Sequence, residues 1–597
     1  MLKTPLKTLL DALISHFTKE RLETLIIEHD EKLLTFMLEH ENANDYKNAF
    51  FKMIANSLVF NEKALLECLE TKELENSFTR FKNKIGLFLK SSGSVVLHFP
   101  FKDNVLLGNA KDNNTKSNEL FYHEILHKNE IDTLLHKKAL CRFEMHGQGD
   151  LESALKDENT NYLIKGNNLI ALHSLKKKFA KQVKCIYIDP PYNTGNDSFN
   201  YNDNFNHSSW LVFMKNRLEV AREFLSDDGV IFVQCDDNEQ AYLKVLMDEI
   251  FLRENFVASI SWKQFHSVKN DAANFSKNIE YILCYCKNFS KNLISNEPFD
   301  KSNSYKLKDE NGFYKLDPVW AKSGNNFSPY TFLNGKTWSP PSGTFWRYSI
   351  GTLKDMEQNN RIVFNGKNPM AKRYLSEVAE GRKSSTFWDG SEVGYNLNGD
   401  AEIKQLFNGN KVFNNPKPEA LISRILEIST QENDLVLDFF AGSGTTCAVA
   451  HKMKRRYIGI EQMDYIETIT KERLKKVIEG EQGGISKKCD FKGGGSFVYA
   501  ELKEVNLEIK KQILNAKSKS ECLKIFDDLN ERFLKRADCK IDEIHSEEFQ
   551  NLDLNEQKRI CCALLDSNED YLNLGDIDED AWGIDGITKK YNEIFYS

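Results

Sequence analysis

The chain has 597 residues, far more than one hydrophobic core usually serves, so several domains are expected. Its 80 basic and 88 acidic residues leave a net charge of −8, which excludes a uniformly basic nucleic-acid coat; any contact with nucleic acid must use a local positive surface. The 12 cysteines form no CxxC pair, their nearest approaches being Cys284-Tyr285-Cys286 and Cys561-Cys562, so free thiols and no metal centre are expected.

No secretory segment opens the chain and no apolar run approaches 18 residues, which predicts a cytoplasmic protein without a membrane span. Residues 1–150 read as a helical N-terminal domain: Leu6, Leu9, Leu10, Leu13, Ile14 and Phe17, then Leu22, Leu25, Ile26, Leu33, Leu34, Met37 and Leu38, recur at helical spacing. A small hairpin is expected at Val95–Phe99 and Val105–Leu107. Near Gly147-Gln148-Gly149 the composition changes, and residues 151–290 begin with a short strand and turn at Leu163 to Asn168.

The most informative stretch is Cys185-Ile186-Tyr187-Ile188-Asp189-Pro190-Pro191-Tyr192-Asn193-Thr194-Gly195. Ile186 to Ile188 suit a buried strand, and two prolines end it because they supply no N–H and fix φ twice. Such a turn at a carboxyl edge suits a planar exocyclic amine, which needs two fixed acceptors while an electrophile approaches its nitrogen. The Asp189 carboxylate and the Pro190 carbonyl supply acceptors, and Tyr192 offers a ring for a base to stack on. A base inside a duplex has to be flipped out to reach such a turn. The competing reading is a plain strand-to-loop turn with a capping Asp.

Tyr201 and Asp203 follow in a loop over this turn, then a helix with Leu211, Met214, Leu218, Ala221 and Leu225 on one face. The strand Val230–Val233 ends at Cys235-Asp236-Asp237, where the acids are expected to cap the next helix, the alternative being contact with substrate. Residues 291–405 lose periodicity. Residues 301–400 hold ten Lys and four Arg against ten acids, net +4, and four of the seven tryptophans: Trp320, Trp338, Trp346 and Trp388. Basic residues among aromatic rings suit phosphate contact and base stacking, with Arg347, Lys372, Arg373, Arg382 and Lys383 as candidate DNA contacts; the alternative is an irregular β-rich insert with its own aromatic core.

Residues 406–500 open with Pro416-Lys417-Pro418, a lead-in that fixes a helix start. Leu435-Val436-Leu437-Asp438-Phe439-Phe440-Ala441-Gly442-Ser443-Gly444-Thr445-Thr446 is a second buried strand, ending in a glycine turn before a helix. Gly442 and Gly444 let a cofactor approach the backbone, Ser443 and Thr445 lie beside free N–H groups of the helix start, and a side chain at either glycine is expected to fill cofactor space. Glu461 ends the next strand, where an acid suits ribose hydroxyls. Residues 501–597 return to helix, with an acidic run around Asp576–Asp580.

The pair of motifs resembles the amino-methyltransferases of DNA, whose catalytic motif is (D/N)PP(Y/F) and whose cofactor motif is FxGxG, matched by Phe440, Gly442 and Gly444. The order of catalytic motif, recognition region and cofactor motif is that of the β class. From Lys165 through the Asp-Pro-Pro-Tyr-Asn-Thr-Gly run, Trp210-Leu211, Arg217-Leu218, Asp236 to Glu239, Gly381-Arg382 and Trp388, residues 160–500 look like the modification (Mod) subunit of type III restriction-modification systems. The resemblance implies an α/β, Rossmann-like methyltransferase domain that is circularly ordered in the β-class manner. It carries an inserted target-recognition domain and helical N- and C-terminal regions. The expected divisions are 1–150, 151–290 with the catalytic half, 291–405 for recognition, 406–500 with the cofactor half, and 501–597.

It further implies S-adenosylmethionine as cofactor, held by Asp438, Phe440, Gly442, Ser443, Gly444, Thr445, Glu461 and the Pro416-Lys417 segment. Catalysis would fall to Asp189, Pro190, Pro191 and Tyr192. Double-stranded DNA, a second copy of the chain and a separate restriction (Res) helicase-nuclease subunit are the implied partners. Asp rather than Ser at position 189 favours adenine N6 over cytosine N4. Cytosine C5 chemistry does not fit, because no cysteine follows a proline. An NAD fingerprint lacks its third glycine, and a phosphate loop at Gly335-Lys336-Thr337 lacks the glycine that Tyr330 replaces. A solitary adenine or cytosine-N4 methyltransferase, and a silent DNA-binding specificity subunit, are the alternatives.

Overall fold

The computed structural model describes residues 5–66 and 135–597, apart from positions 18, 28, 55–56, 63, 196–202, 204–206, 269–273, 292, 298–301, 379–380, 528–543, 545, 566–568 and 580–581. The expected hairpin at 95–107 and Tyr201 lie outside the described residues. The chain divides into two compact units, Met1–Leu293 with Thr386–Ser597, and Ile294–Ser385.

The larger unit is built on a ten-stranded sheet. In chain order its strands are β1 (Leu140–Gly147), β2 (Tyr162–Lys165), β3 (Val183–Ile188), β4 (Leu225–Cys235), β5 (Phe256–Lys263), β6 (Ile279–Cys286), β7 (Phe387–Asp389), β8 (Leu435–Asp438), β9 (Arg456–Glu461) and β10 (Ser496–Leu502). They lie side by side as β7-β5-β6-β4-β3-β8-β9-β2-β10-β1. All neighbours run parallel except at β6, antiparallel to both β4 and β5, and at β1, antiparallel to β10. Parallel strands buried on both faces need continuous apolar runs, and Cys185 to Ile188 and Leu435 to Leu437 supply them with at most 2% exposure. Helices Asn168–Phe179 and His207–Phe224 pack over this core through Leu172, Leu175, Leu211, Met214 and Leu218.

The strand reversal falls between β3 and β8. The strand that follows β3 in the chain, β4, lies on one side and the strand that follows β8, β9, on the other, so the carboxyl ends of β3 and β8, at Asp189 and Asp438, flank the crevice where open α/β sheets bind ligands. No helix among the described residues is long and apolar enough to cross a membrane.

Several expected divisions move. β1 falls inside the segment read as a helical N-terminal domain, yet it closes the edge of the sheet. Residues 51–60 also add an unforeseen hairpin, Phe51–Ile54 against Ser57–Phe60, after four helices whose buried Leu10, Leu13, Leu22, Ile26, Leu33 and Met37 form a core of their own. The insert ends at Ser385 rather than 405, because Phe387–Asp389 pairs with Ser261–Lys263 as the sheet's last strand. Trp388, read with the insert, is therefore a buried residue of the sheet.

At the other end, helices Asn506–Asn515, Lys519–Asp527 and Leu554–Leu564 share a separate core of Ile513, Cys522, Phe526, Cys561 and Leu564. The last helix, Gly586–Tyr596, instead joins the sheet: Asn592 exchanges hydrogen bonds of 2.8 and 2.7 Å with the Leu140 backbone, and Phe595 meets the Tyr162 ring at 5.3 Å.

In the smaller unit, Gly312–Pro318 pairs antiparallel with Asn368–Tyr374, with Leu307–Asp309 and Ile362–Asn365 on either side. Trp320, Trp338 and Trp346 pack in series with tilted rings, 5.2 Å between successive centres, against a small core that includes Val319, Phe332, Leu353 and Ala371. These rings build the insert's own core, the second of the two expected readings.

Candidate active site

A cavity of about 690 Å³, a size ordinary for small-molecule sites, opens at the carboxyl ends of β3, β4, β8 and β9. Asp189, Pro190, Pro191 and Tyr192 line it together with Asp438, Phe440, Gly442, Ser443, Thr445, Glu461, Pro416 and Lys417. Two motifs about 250 residues apart in sequence thus meet in one crevice because β3 and β8 are neighbours. Gly444 sits beneath, as the left-handed residue (φ 77°) that starts helix Thr445–Lys452.

The Asp-Pro-Pro-Tyr turn is held from several sides. Trp210 Nε1 donates to the Pro191 carbonyl at 2.7 Å, whereas no hydrogen bond among the described residues engages that of Pro190. Asp203 accepts from the Asn193 and Thr194 amides at 2.9 and 3.2 Å and from the Thr194 hydroxyl, clasping the chain past the turn. Asn193, at φ 58°, also donates to Glu239 at 2.7 Å. The acids after β4 do not cap the next helix as expected: Glu239 takes the N-cap position without a side-chain bond, and Asp236 accepts from Asn238 N and lines the cavity. Asn167 caps helix Asn168–Phe179, while Asn168 donates to the Phe439 carbonyl at 2.6 Å and accepts from Arg217.

The charges are concentrated. Lys417 Nζ donates to Asp189 Oδ2 at 2.8 Å and lies 3.8 Å from Glu280 Oε2 and 5.2 Å from the centre of the Tyr192 ring. Burial works to lower its pKa, but the carboxylates of Asp189 and Glu280 outweigh it and hold Lys417 above the usual lysine range. The Tyr192 hydroxyl stands between two carboxylates, 2.7 Å from Asp189 Oδ1 and 3.0 Å from Glu280 Oε2. Burial, then those two charges, push its pKa well up. Gln234 donates to Glu280 at 2.6 Å and accepts from Tyr187 at 2.5 Å. Glu280 and Gln234 escaped the sequence reading; the one signal was a lone acid opening the apolar run of β6.

The glycine loop and Lys417 rest on a shared support. Arg473 donates to Thr445 Oγ1 at 2.7 Å and to Glu419 at 2.9 Å, and Lys452 pairs with the same Glu419 at 2.8 Å. Glu419 begins the helix that Pro416-Lys417-Pro418 leads into, so this fully buried cluster ties that lead-in to the loop.

The loop fits the S-adenosylmethionine that the sequence resemblance implies. Gly442 has φ 51°, and a Cβ on it would stand 3.4 Å from the Phe413 ring across the cavity. A Cβ on Gly444 would instead meet Thr470 Cγ2 at 2.9 Å, so its position is set by helix packing rather than by ligand space. Glu461 accepts the amides of Gly442, Gln462 and Met463 at 2.8–3.0 Å, leaving its carboxylate fixed on the cavity wall for hydroxyl donors. Burial pushes Asp438 up to about 7. A cationic sulfonium is a group that would favour its ionised form.

The candidate DNA contacts all fall in the smaller unit, and none of them lines the cavity. Lys372 is paired with Asp309 at 2.7 Å, Arg373 with Asp317 at 3.5 Å and Arg382 with Glu297 at 3.4 Å. Arg347 and Lys383 are exposed.

A family model described as "DNA methylase" matches residues 183–472, and one described as "Type III restriction/modification enzyme methylation subunit" matches residues 30–87. The probable type III restriction-modification enzyme HindVI Mod subunit of Haemophilus influenzae is 35% identical, over 100% of this chain and 99% of its own. The StyLTI Mod subunit of Salmonella typhimurium is 36% identical over 50% of this chain and 51% of its own, and the EcoPI Mod subunit of Escherichia phage P1 is 33% identical over 58% and 65%. With a relative matched from end to end and the two motifs facing one cavity, the chain belongs to the methylation (Mod) subunits of type III restriction-modification enzymes.

Proposed function

We propose that this Mod subunit transfers a methyl group to N6 of an adenine flipped out of double-stranded DNA, and that Asp189 and Tyr192 act at the amine. The observation that carries the residue assignment is Lys417 Nζ at 2.8 Å from Asp189 Oδ2. That position already receives a nitrogen donor, which is what an exocyclic amine would be. S-adenosylmethionine supplies, when bound, a methyl group on a positively charged sulfur.

The chain's residues do the rest by position and charge. Asp189 and the Pro190 carbonyl accept the amine's two N–H bonds, which fixes the nitrogen and stabilises the positive charge it gains. The Tyr192 ring supports the base by stacking. Asp438, Gly442 and Glu461 hold the cofactor beside them, with Ser443, Thr445 and Arg473 keeping the loop in shape. Recognition of the DNA sequence belongs to the Ile294–Ser385 unit, with exposed Arg347 and Lys383 as phosphate or base contacts. A second copy of the chain and a Res helicase-nuclease subunit complete the assembly, and the protein works in the cytoplasm; end-to-end similarity to a Mod subunit supports this reading.

The test is to express the chain in cells lacking adenine methylation and to read their DNA by single-molecule sequencing. N6-methyladenine in one recurring sequence is expected; cotton-like scatter over unrelated sequences, N4-methylcytosine, or no mark would contradict the proposal.

A further inference from the structure

Glu280 is fully buried in the sheet at the start of β6, where an unpaired acid would be costly, and it belongs to neither motif. Its Oε2 receives the Gln234 amide at 2.6 Å and the Tyr192 hydroxyl at 3.0 Å, with Lys417 Nζ at 3.8 Å. The Tyr192 hydroxyl has one proton and two carboxylate neighbours, Asp189 on one side and Glu280 on the other. Packing alone does not call for this arrangement: a phenylalanine at 192 with an apolar residue at 280 would fill the same space without burying charge.

The charges also sum in a telling way. Asp189 and Glu280 ionised, with Lys417 protonated, leave one uncompensated negative charge around the Tyr192 hydroxyl. A proton left behind there by the reaction neutralises that charge.

We infer that Glu280 is a positioning residue for methyl transfer, acting through Tyr192 and receiving the proton that the amine gives up. This rests on the reading of Asp189 as the amine's acceptor. Once the amine nitrogen has formed its bond to the methyl carbon, as the bond from that carbon to sulfur breaks and its electron pair stays on a neutral thioether, the nitrogen carries one proton more than the neutral product keeps. That proton goes to Asp189; the Tyr192 hydroxyl gives its own proton to Glu280 and takes the one on Asp189. One N–H bond breaks and one O–H bond forms, on Glu280, while Asp189 and Tyr192 return to their starting states. Burial raises the pKa of Glu280, Lys417 opposes that and Asp189 adds to it, which suits a group that accepts a proton and later releases it. The groups facing it are Tyr187 from β3, Gln234 and Cys235 from β4, Asp189 and Tyr192 from the turn after β3, and Lys417 from the Pro-Lys-Pro segment.

The experiment uses the full chain and DNA containing its methylated sequence, under single-turnover conditions across pH with S-adenosylmethionine saturating at every pH, so that the pH dependence of cofactor binding through Asp438 does not enter the rate. For the wild type the rate rises with pH as Glu280 ionises and then levels off. Glu280→Gln is expected to slow the step by roughly 100-fold, to leave S-adenosylmethionine affinity within about threefold, and to lose that rising limb. Tyr192→Phe is expected to do the same, and the double variant to be no slower than either single one. Infrared difference spectra between the wild type and Glu280→Gln, without DNA or cofactor, give a second readout: beside the bands of Asp438 and the other buried acids, one carboxylic-acid component that disappears as pH rises is present in the wild type and missing in the variant. A Glu280→Gln enzyme with the wild-type rate, one that keeps the rising limb, or losses that multiply in the double variant would overturn the inference. A wild type that does not methylate adenine would overturn the underlying reading instead.

Discussion

Lys417 Nζ donates to Asp189 Oδ2 at 2.8 Å, although the two lie 228 positions apart in sequence, and only 7% of the lysine side chain is exposed. The sequence resemblance groups Lys417 with the cofactor, whereas this contact sets it on the catalytic acid. Lys417 also separates Asp189 from Glu280, so removing its charge leaves two carboxylates facing one hydroxyl. Lys417→Met is expected to destabilise the fold by about 3 kcal/mol, the scale for breaking a buried pair from one side. Urea unfolding at neutral pH measures it; an unchanged midpoint would mean the pair contributes nothing.

Gly442 is the sharper probe of the cofactor loop. At φ 51° a side chain is strained, and its Cβ would point at the Phe413 ring across the cavity. Gly442→Val is expected to weaken S-adenosylmethionine binding at least about tenfold, by titration calorimetry, without weakening DNA binding. Gly444→Val, which runs into Thr470, is expected to lower thermal stability as well.

The sequence made the turn and the loop legible because each is local chemistry: an apolar strand stopped by Pro190-Pro191, and another stopped by glycines that need positive φ. Glu280 was hidden because its role depends on β6 running antiparallel beside β4, a pairing no local pattern announces. The pairing inside the basic insert was hidden for a related reason. Composition does not show which charges meet: Lys372, Arg373 and Arg382 face Asp309, Asp317 and Glu297, and three of the tryptophans pack against one another. β1 was missed because a strand that completes a sheet at its edge needs only the partner, Ser496–Leu502, found 350 residues later.

Asp438 predicts a dependence on pH. Its folded pKa, pushed up to about 7 by burial, exceeds the value near 4 of an unfolded chain. Between those values the folded state holds a proton that the unfolded state has lost, so this group's contribution to stability falls as pH rises through the window. A cation in the cavity favours the ionised form, so S-adenosylmethionine affinity is expected to rise roughly tenfold from pH 6 to pH 8. Asp438→Asn should flatten both trends, in calorimetry and in denaturant unfolding across the same range.

Exchange of residues 294–385 for the matching segment of another Mod subunit is expected to change the methylated sequence and to leave adenine as the modified base. Within the native insert, Arg347→Ala or Lys383→Ala at a phosphate contact should lower the slope of log affinity against log salt by about one, whereas loss of a base contact should relax one position of the site. A chimera that marks the original sequence at full rate would place recognition outside Ile294–Ser385.

The most direct test of the account follows a labelled methyl group from S-adenosylmethionine into DNA, digests the DNA to nucleosides and identifies the labelled one, for the wild type and for Asp189→Ala. The account predicts N6-methyldeoxyadenosine from the wild type, and none from Asp189→Ala even though that variant binds the cofactor with near wild-type affinity. Label in N4-methyldeoxycytidine, or a variant that still methylates adenine, would contradict it.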